Sequence, residues 1–360
     1  MPSIRLLDSF RAHEGVVWYV SWSADGNELL TCSSDRSVKL WSKMGDSWAV
    51  KETMDGLHKK SIRACEMSPN GKFIAAASFD SNISIYRCED GEWSLFTMLE
   101  GHVNEVKSIC WSSDSQLLAS SSRDRNVIVW GYNEEDDEMD CVSVLSGHTQ
   151  DVKFVRFNPT NNNLYSCSYD DTVKVWLYAG EDFSNINTLR AHEGTVWGIA
   201  FKPTQQTLTT KNMDVEENEE KHVGGIGLDD EDVLDDIEVP TDTLLSTEFV
   251  TCGMDGRVIY WEEKEDNIGN SEETHKIILS DCNNDEPFYS IDWNEKGIIV
   301  AGGNNTMHLL TELDKGNFMD ELELKLHDSD INCIRWNPVF HTQFASCGDD
   351  GLVKVWELVE

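Results

Sequence analysis

Basic residues are scarce in this chain: 29 Lys and Arg stand against 66 Asp and Glu, a formal net charge of −37 over 360 residues. So acidic a surface repels phosphate backbones and anionic bilayers at long range, so neither nucleic acid nor a membrane is an expected partner. Long apolar runs are missing too. No stretch approaches the roughly 18 residues that a membrane-spanning helix needs. The opening segment MPSIRLLDSFRAHEG has no basic region followed by an apolar core, so it does not read as a secretory signal. A cytoplasmic or nuclear address is therefore expected. The ten cysteines form no CxxC pair; free thiols are the expectation, and no metal site or bound cofactor is read from them. Catalytic signatures are equally absent, with no GxSxG, no GxxxxGK[ST] and no HExxH. Gly224-Gly225-Ile226-Gly227 is Gly-rich but lies among acids that would repel a phosphate. No catalytic residue is assigned, and an enzyme is not expected.

What the chain does have is one phrase written repeatedly. A His precedes an alternating apolar stretch; a second strand, a turn containing Asp and a third strand ending in an aromatic follow. Four copies are regular: His13-Asp35-Trp41, His58-Asp80-Tyr86, His102-Asp124-Trp130 and His148-Asp170-Trp176. A fifth, His192-Asp255-Trp261, is stretched by 41 residues, and the last is His327-Asp350-Trp356. Between them lies a degenerate copy, with Asn284, Asn304 and Leu310 in the three places. Successive His residues advance by 45, 44, 46 and 44 positions, and the 135 residues from His192 to His327, less the 41, hold two more repeats. Seven copies of this length predict an all-β fold, a seven-bladed WD40 β-propeller with four strands per blade. The chain ends four residues after Trp356, so the last blade needs a strand from elsewhere; residues 3–10, SIRLLDSF, supply it and close the ring. The whole of 1–360 thus reads as one propeller. Residues 206–246 form an insert within the fifth blade, and 13 acids against 2 Lys between Lys211 and Asp242 predict that it is disordered. It is expected to leave on the face opposite the Asp turns, as a solvated loop or as a tether for a basic partner.

Recurrence also decides what the His and Asp residues do. A carboxylate in the turn can hold both the turn and the His, and a Ser or Thr of the second strand can carry the network to the Trp indole. A buried polar chain of this kind fixes geometry when fully satisfied. Repetition marks His13, Asp35, His58, Asp80, His102, Asp124, His148, Asp170, His192, Asp255, His327 and Asp350 as structural, together with Trp41, Trp130, Trp176, Trp261 and Trp356. The same logic puts Cys32, Cys167, Cys252 and Cys347, each three residues before a turn Asp, in the core.

Function is expected on the upper rim. Two repeat positions should project there. The residue before each turn Asp gives Ser34, Phe79, Arg123, Tyr169, Met254, Gly303 and Asp349; the residue five after each His gives Trp18, Arg63, Lys107, Lys153, Trp197, Tyr289 and Asn332. Large aromatics with cations are the composition of protein-binding hot spots. Arg63, Lys107, Arg123 and Lys153 fall in successive repeats and should adjoin, flanked by Phe79 and Tyr169. Such a patch suits an acidic segment bearing an aromatic side chain; alternatively, the cations pair with nearby acids such as Glu105 and Asp151.

The segments AHEGVVWYVSW, SSRDRNVIVW, GHTQDVKFVRFNP, SCSYDDTVKVW, AHEGTVWGIAF and CIRWNP resemble the WD-repeat subunit of the cytosolic iron–sulfur protein assembly (CIA) targeting complex. The likeness runs through all seven repeats and leaves out only the insert; the SRD stretch followed by HTQDVK and HEGTVW is its most specific part. The resemblance implies a non-catalytic scaffold in cytoplasm and nucleus. Its implied partners are a MIP18-type small subunit, a HEAT-repeat subunit and a hydrogenase-like iron–sulfur carrier, which together deliver [4Fe–4S] clusters to apoproteins. It places the family's functional surface arginine at Arg123, and it implies clients recognised through C-terminal tails of acidic and aromatic residues. A generic WD adaptor of a ubiquitin ligase or chromatin complex is the alternative.

Overall fold

The computed structural model describes residues 2–45, 47–180, 182–203, 246–265, 271–280 and 286–359. Asn284 and the acidic insert up to residue 245 lie outside the described residues. Strands rich in β-branched and aromatic residues assemble into seven antiparallel sheets of four strands, here called blades 1 to 7 with strands a to d. Blade 1 is Val17–Trp22, Glu28–Ser33, Val38–Met44 and Ser47–Met54. The a strands of blades 2 to 7 are Ile62–Met67, Val106–Trp111, Val152–Phe157, Val196–Phe201, Phe288–Asn294 and Ile331–Trp336. They pack side by side around one axis, blade 7 against blade 1. In blade 5, Val196–Phe201 pairs directly with Ser246–Gly253, so strands a and b of that blade are neighbours although far apart in sequence.

Strand d of blade 7 is Ser3–Arg11, antiparallel to Leu352–Val359 from Ser3 opposite Val359 to Arg11 opposite Leu352. The ring is closed by the N-terminal strand, as the missing strand of the last repeat predicts. Closure removes the gap at which a last blade of three strands would expose its edge. The core lies where neighbouring sheets face one another. Strand b of blade 2, Phe73–Ser78, is buried throughout, and Phe73 stacks on Trp111 of blade 3 at 5.9 Å. Tyr165 of blade 4 meets Phe201 and Phe249 of blade 5 edge-on. Cys32, Cys167, Cys252 and Cys347 are fully buried in these layers, and burial pushes their thiols above the ordinary range.

Each blade with a His and an Asp is locked by the same short contact. The His Nδ1 lies 2.8–3.1 Å from the turn carboxylate in His13–Asp35, His58–Asp80, His102–Asp124, His148–Asp170, His192–Asp255 and His327–Asp350. The Trp indoles of residues 41, 130, 176, 261 and 356 donate to Thr31, Ser120, Ser166, Thr251 and Ser346. Those hydroxyls also meet the His Nε2 at 2.8–2.9 Å. An indole can only donate. Where the hydroxyl passes its proton on to Nε2, the Nδ1–H faces the carboxylate. The turn residue after each Asp takes a left-handed conformation, which Gly256 and Gly351 supply at no steric cost. Blade 2 departs from the expected route. Its strand b has Ala76 in the Ser/Thr place, and the hydroxyl comes from Ser84, directly opposite on strand c, which meets His58 Nε2 at 3.0 Å.

Candidate functional site

All seven a strands carry a register shift at the same place, between Val17 and Tyr19, Ile62 and Ala64, Val106 and Ser108, Val152 and Phe154, Val196 and Gly198, Phe288 and Ser290, and Ile331 and Cys333. The skipped residues are Trp18, Arg63, Lys107, Lys153, Trp197, Tyr289 and Asn332. A bulge frees one residue from the ladder and re-aims its side chain. Here seven bulges aim seven side chains at one place. All seven line a single cavity of about 330 Å³ at one mouth of the axis, joined by Phe79, Asp330 and Asp349. Below it the channel narrows to about 20 Å³. Arg335 lines this constriction, donating to Tyr19 Oη at 2.9 Å and to Ser290 Oγ at 3.1 Å.

Cations and rings interleave around the mouth. The Arg63 guanidinium lies 5.1 Å from the Trp18 ring, the Lys107 ammonium 4.2 Å from Phe79, and the Lys153 ammonium 5.2 Å from both Tyr169 and Trp197. Trp18 neighbours Phe79, and Trp197 meets Tyr289 edge-on at 5.5 Å. In each contact the charged head itself lies against the ring, which fixes its position at the mouth. The indole Nε1 atoms of Trp18 and Trp197 are buried without an acceptor among the described residues.

Part of the cationic charge is neutralised within its own blade. Lys107 binds Glu105, and Lys153 binds Asp151 at 3.2 Å. Burial lowers the Lys107 pKa while Glu105 opposes that shift. Arg63 forms no ion pair among the described residues; it donates to the Trp18 carbonyl at 3.2 Å, and burial draws its pKa down.

The position before each turn Asp behaves differently. Phe79 and Asp349 line the cavity, whereas Ser34, Arg123, Tyr169, Met254 and Gly303 do not. Ser34 Oγ is turned inward to accept the Val16 amide. Arg123 stands beside the cavity, linked to it through Glu105 at 3.4 Å, and its side chain is 54% exposed against 14% for Lys107. It is the cation of the group that reaches furthest into solvent. Asp330 was not picked out from the sequence as a site residue. It occupies the repeat place three after the His, the place of Glu105 and Asp151, and that correspondence is the signal that could have found it. Among the described residues, no group of three or more His, Cys, Asp or Glu is arranged to hold a metal ion; Cys282 lies outside them.

Comparison with known proteins places this geometry in a lineage. Residues 4–42, 54–87, 93–131, 139–176 and 320–357 match the family described as WD domain, G-beta repeat. Over 98% of its length the chain is 33% identical to a probable cytosolic iron-sulfur protein assembly protein 1 of Vanderwaltozyma polyspora, covering 99% of that relative. It is 34% identical to a probable cytosolic iron-sulfur protein assembly protein of Caenorhabditis elegans, over 95% of this chain and 94% of the other. With the relative of Kluyveromyces lactis the identity is 33% and both chains are covered completely. Seven closed blades, a WD-repeat match over more than half the sequence and full-length identity to these relatives make the chain a member of the WD-repeat family of cytosolic iron–sulfur protein assembly proteins.

Proposed function

We propose that this propeller is a non-catalytic scaffold of the cytosolic iron–sulfur assembly targeting complex, working in cytoplasm and nucleus. In this reading it joins a MIP18-type small subunit, a HEAT-repeat subunit and a hydrogenase-like iron–sulfur carrier. Those partners handle the cluster, and this chain helps to present apoproteins that receive it. The observation that carries the reading is the rim cavity, where Arg63, Lys107 and Lys153 are interleaved with Trp18, Phe79, Trp197 and Tyr289. A C-terminal tail with acidic and aromatic residues matches it group for group. The carboxylates meet the cations, Arg63 and the adjoining Arg123 foremost, and the tail's ring packs among the rim aromatics. Relatives along the full chain carry cytosolic iron–sulfur assembly in their names, which favours this role over that of a ligase or chromatin adaptor.

Capture from cell extract tests the proposal. The wild-type chain is expected to retain assembly subunits and apoprotein clients. Arg123→Glu is expected to reduce client capture severalfold, the effect of reversing a charge beside a binding site, with an unchanged thermal midpoint because the side chain is exposed. Retention of ligase subunits instead, or full client capture by Arg123→Glu, contradicts it.

A further inference from the structure

The rim cavity has a second pole. In blades 3 and 4 the repeat places three and five after the His hold an acid and a lysine that neutralise each other, Glu105 with Lys107 and Asp151 with Lys153. In blade 7 the same two places hold Asp330 and Asn332. The acid is kept and its cation is gone. Asn332 donates to Asp349 at 2.8 Å, and Asp330 has no ion pair among the described residues. Burial, then the neighbouring Asp349, raises the Asp330 pKa, the response of a carboxylate without a counter-charge. Blade 2 is the converse, with Ser61 and Arg63 in the two places and no acid for the arginine.

In a ring of seven, blade 2 stands two places from blade 7 with blade 1 between them, while blades 3 and 4 lie across the axis. Arg63, the mouth cation without an acid among the described residues, is therefore set apart from Asp330 and Asp349 by Trp18 of blade 1, and Trp197 and Tyr289 form the far wall. We infer that this cavity selects a dipolar peptide segment, whose carboxylate lies at the Arg63 side and whose lysine or arginine, upstream of the aromatic residue, lies at Asp330 and Asp349. The inference rests on the client-tail reading and adds to it a requirement that an acidic tail alone does not satisfy.

Short synthetic peptides ending in Asp-Trp with a free carboxylate, titrated into the full chain by fluorescence anisotropy, provide the test. One series carries a single Lys at successive upstream positions and a matched series carries Gln. At one or more positions Lys is expected to tighten binding about three- to fivefold, the scale of one partly exposed ion pair. In the double variant D330N/D349N that advantage disappears, read as the ratio of Lys-peptide to Gln-peptide affinity within each protein. Asn at 349 can still accept from Asn332, and the thermal midpoint reports folding. Should the double variant not fold, a wild-type ranking of Lys over Gln over Glu at the same position supports the inference, and any other ranking overturns it. Equal affinity of Lys and Gln peptides for wild type, or a lysine advantage undiminished in D330N/D349N, overturns the inference and leaves the client-tail reading standing. Failure of every peptide to bind wild type removes the tail reading, and this inference with it.

Discussion

Single hydroxyl groups carry much of the blade geometry. Ser166 accepts from the Trp176 indole and meets His148 Nε2, both at 2.8 Å. Ser166→Ala leaves two buried polar groups without partners, so the variant is expected to lose about 1–3 kcal/mol of unfolding free energy in chemical denaturation. Ala76 shows that blade 2 escapes this cost only because Ser84 supplies the hydroxyl from the facing strand. The carboxylates at the other end of the relay set an acid limit. Burial pushes the Asp170 carboxyl up, but hydrogen bonds from His148 and Thr172 outweigh it and hold it well below the usual range. A carboxylate lowered on folding contributes stability that is present above its unfolded value near 4 and is lost as pH falls through the folded value. The stability difference between wild type and Asp170→Asn should shrink as pH falls below about 4. Using the difference cancels the relief of surface repulsion that acid brings to a chain of charge −37.

At the scale of elements, the seventh blade is the point of greatest dependence. Ser3–Arg11 supplies its outer strand, and Ile4, Leu7 and Phe10 pack half-buried against the core, with Phe10 on the Trp41 ring at 4.6 Å. Removing residues 1–11 uncovers the edge of Leu352–Val359 and opens the ring, so the thermal midpoint should fall by about 10 °C or more. A synthetic 3–11 peptide added in trans should recover part of it. An unchanged midpoint would mean that the closure contributes little. This element was legible in the sequence because a missing strand and a spare one are both countable. The bulges were not. A register shift after Val17 or Ile62 has no composition signal, since the strand reads as ordinary alternation on either side. Blade 6 was legible only by spacing, for Asn304 and Leu310 keep the places while the His–Asp–Trp chemistry is gone.

For the whole molecule, period and signature specify a closed ring, and the ring decides which distant residues become neighbours. Trp18 and Asn332, 314 positions apart, line one cavity because blade 7 returns to blade 1. The convergence of the residues five after the His was readable in the sequence because one repeat offset maps to one bulge. For the residues before the turn Asp this held only in part: their side chains follow local partners, Ser34 towards the Val16 amide and Arg123 towards Glu105, and no repeat rule sets that choice. The acid pole was hidden because Asp330 gains meaning only beside Asn332, where other blades hold a lysine. Hydrogen–deuterium exchange of the full chain, with and without a saturating synthetic peptide ending in Asp-Trp, tests the rim as the seat of recognition most directly. New protection should concentrate in segments 58–63, 102–107, 148–153 and 327–332; protection on the outer strands or in the opposite-face turns 23–28, 68–73 and 112–117, or none at all, would contradict it.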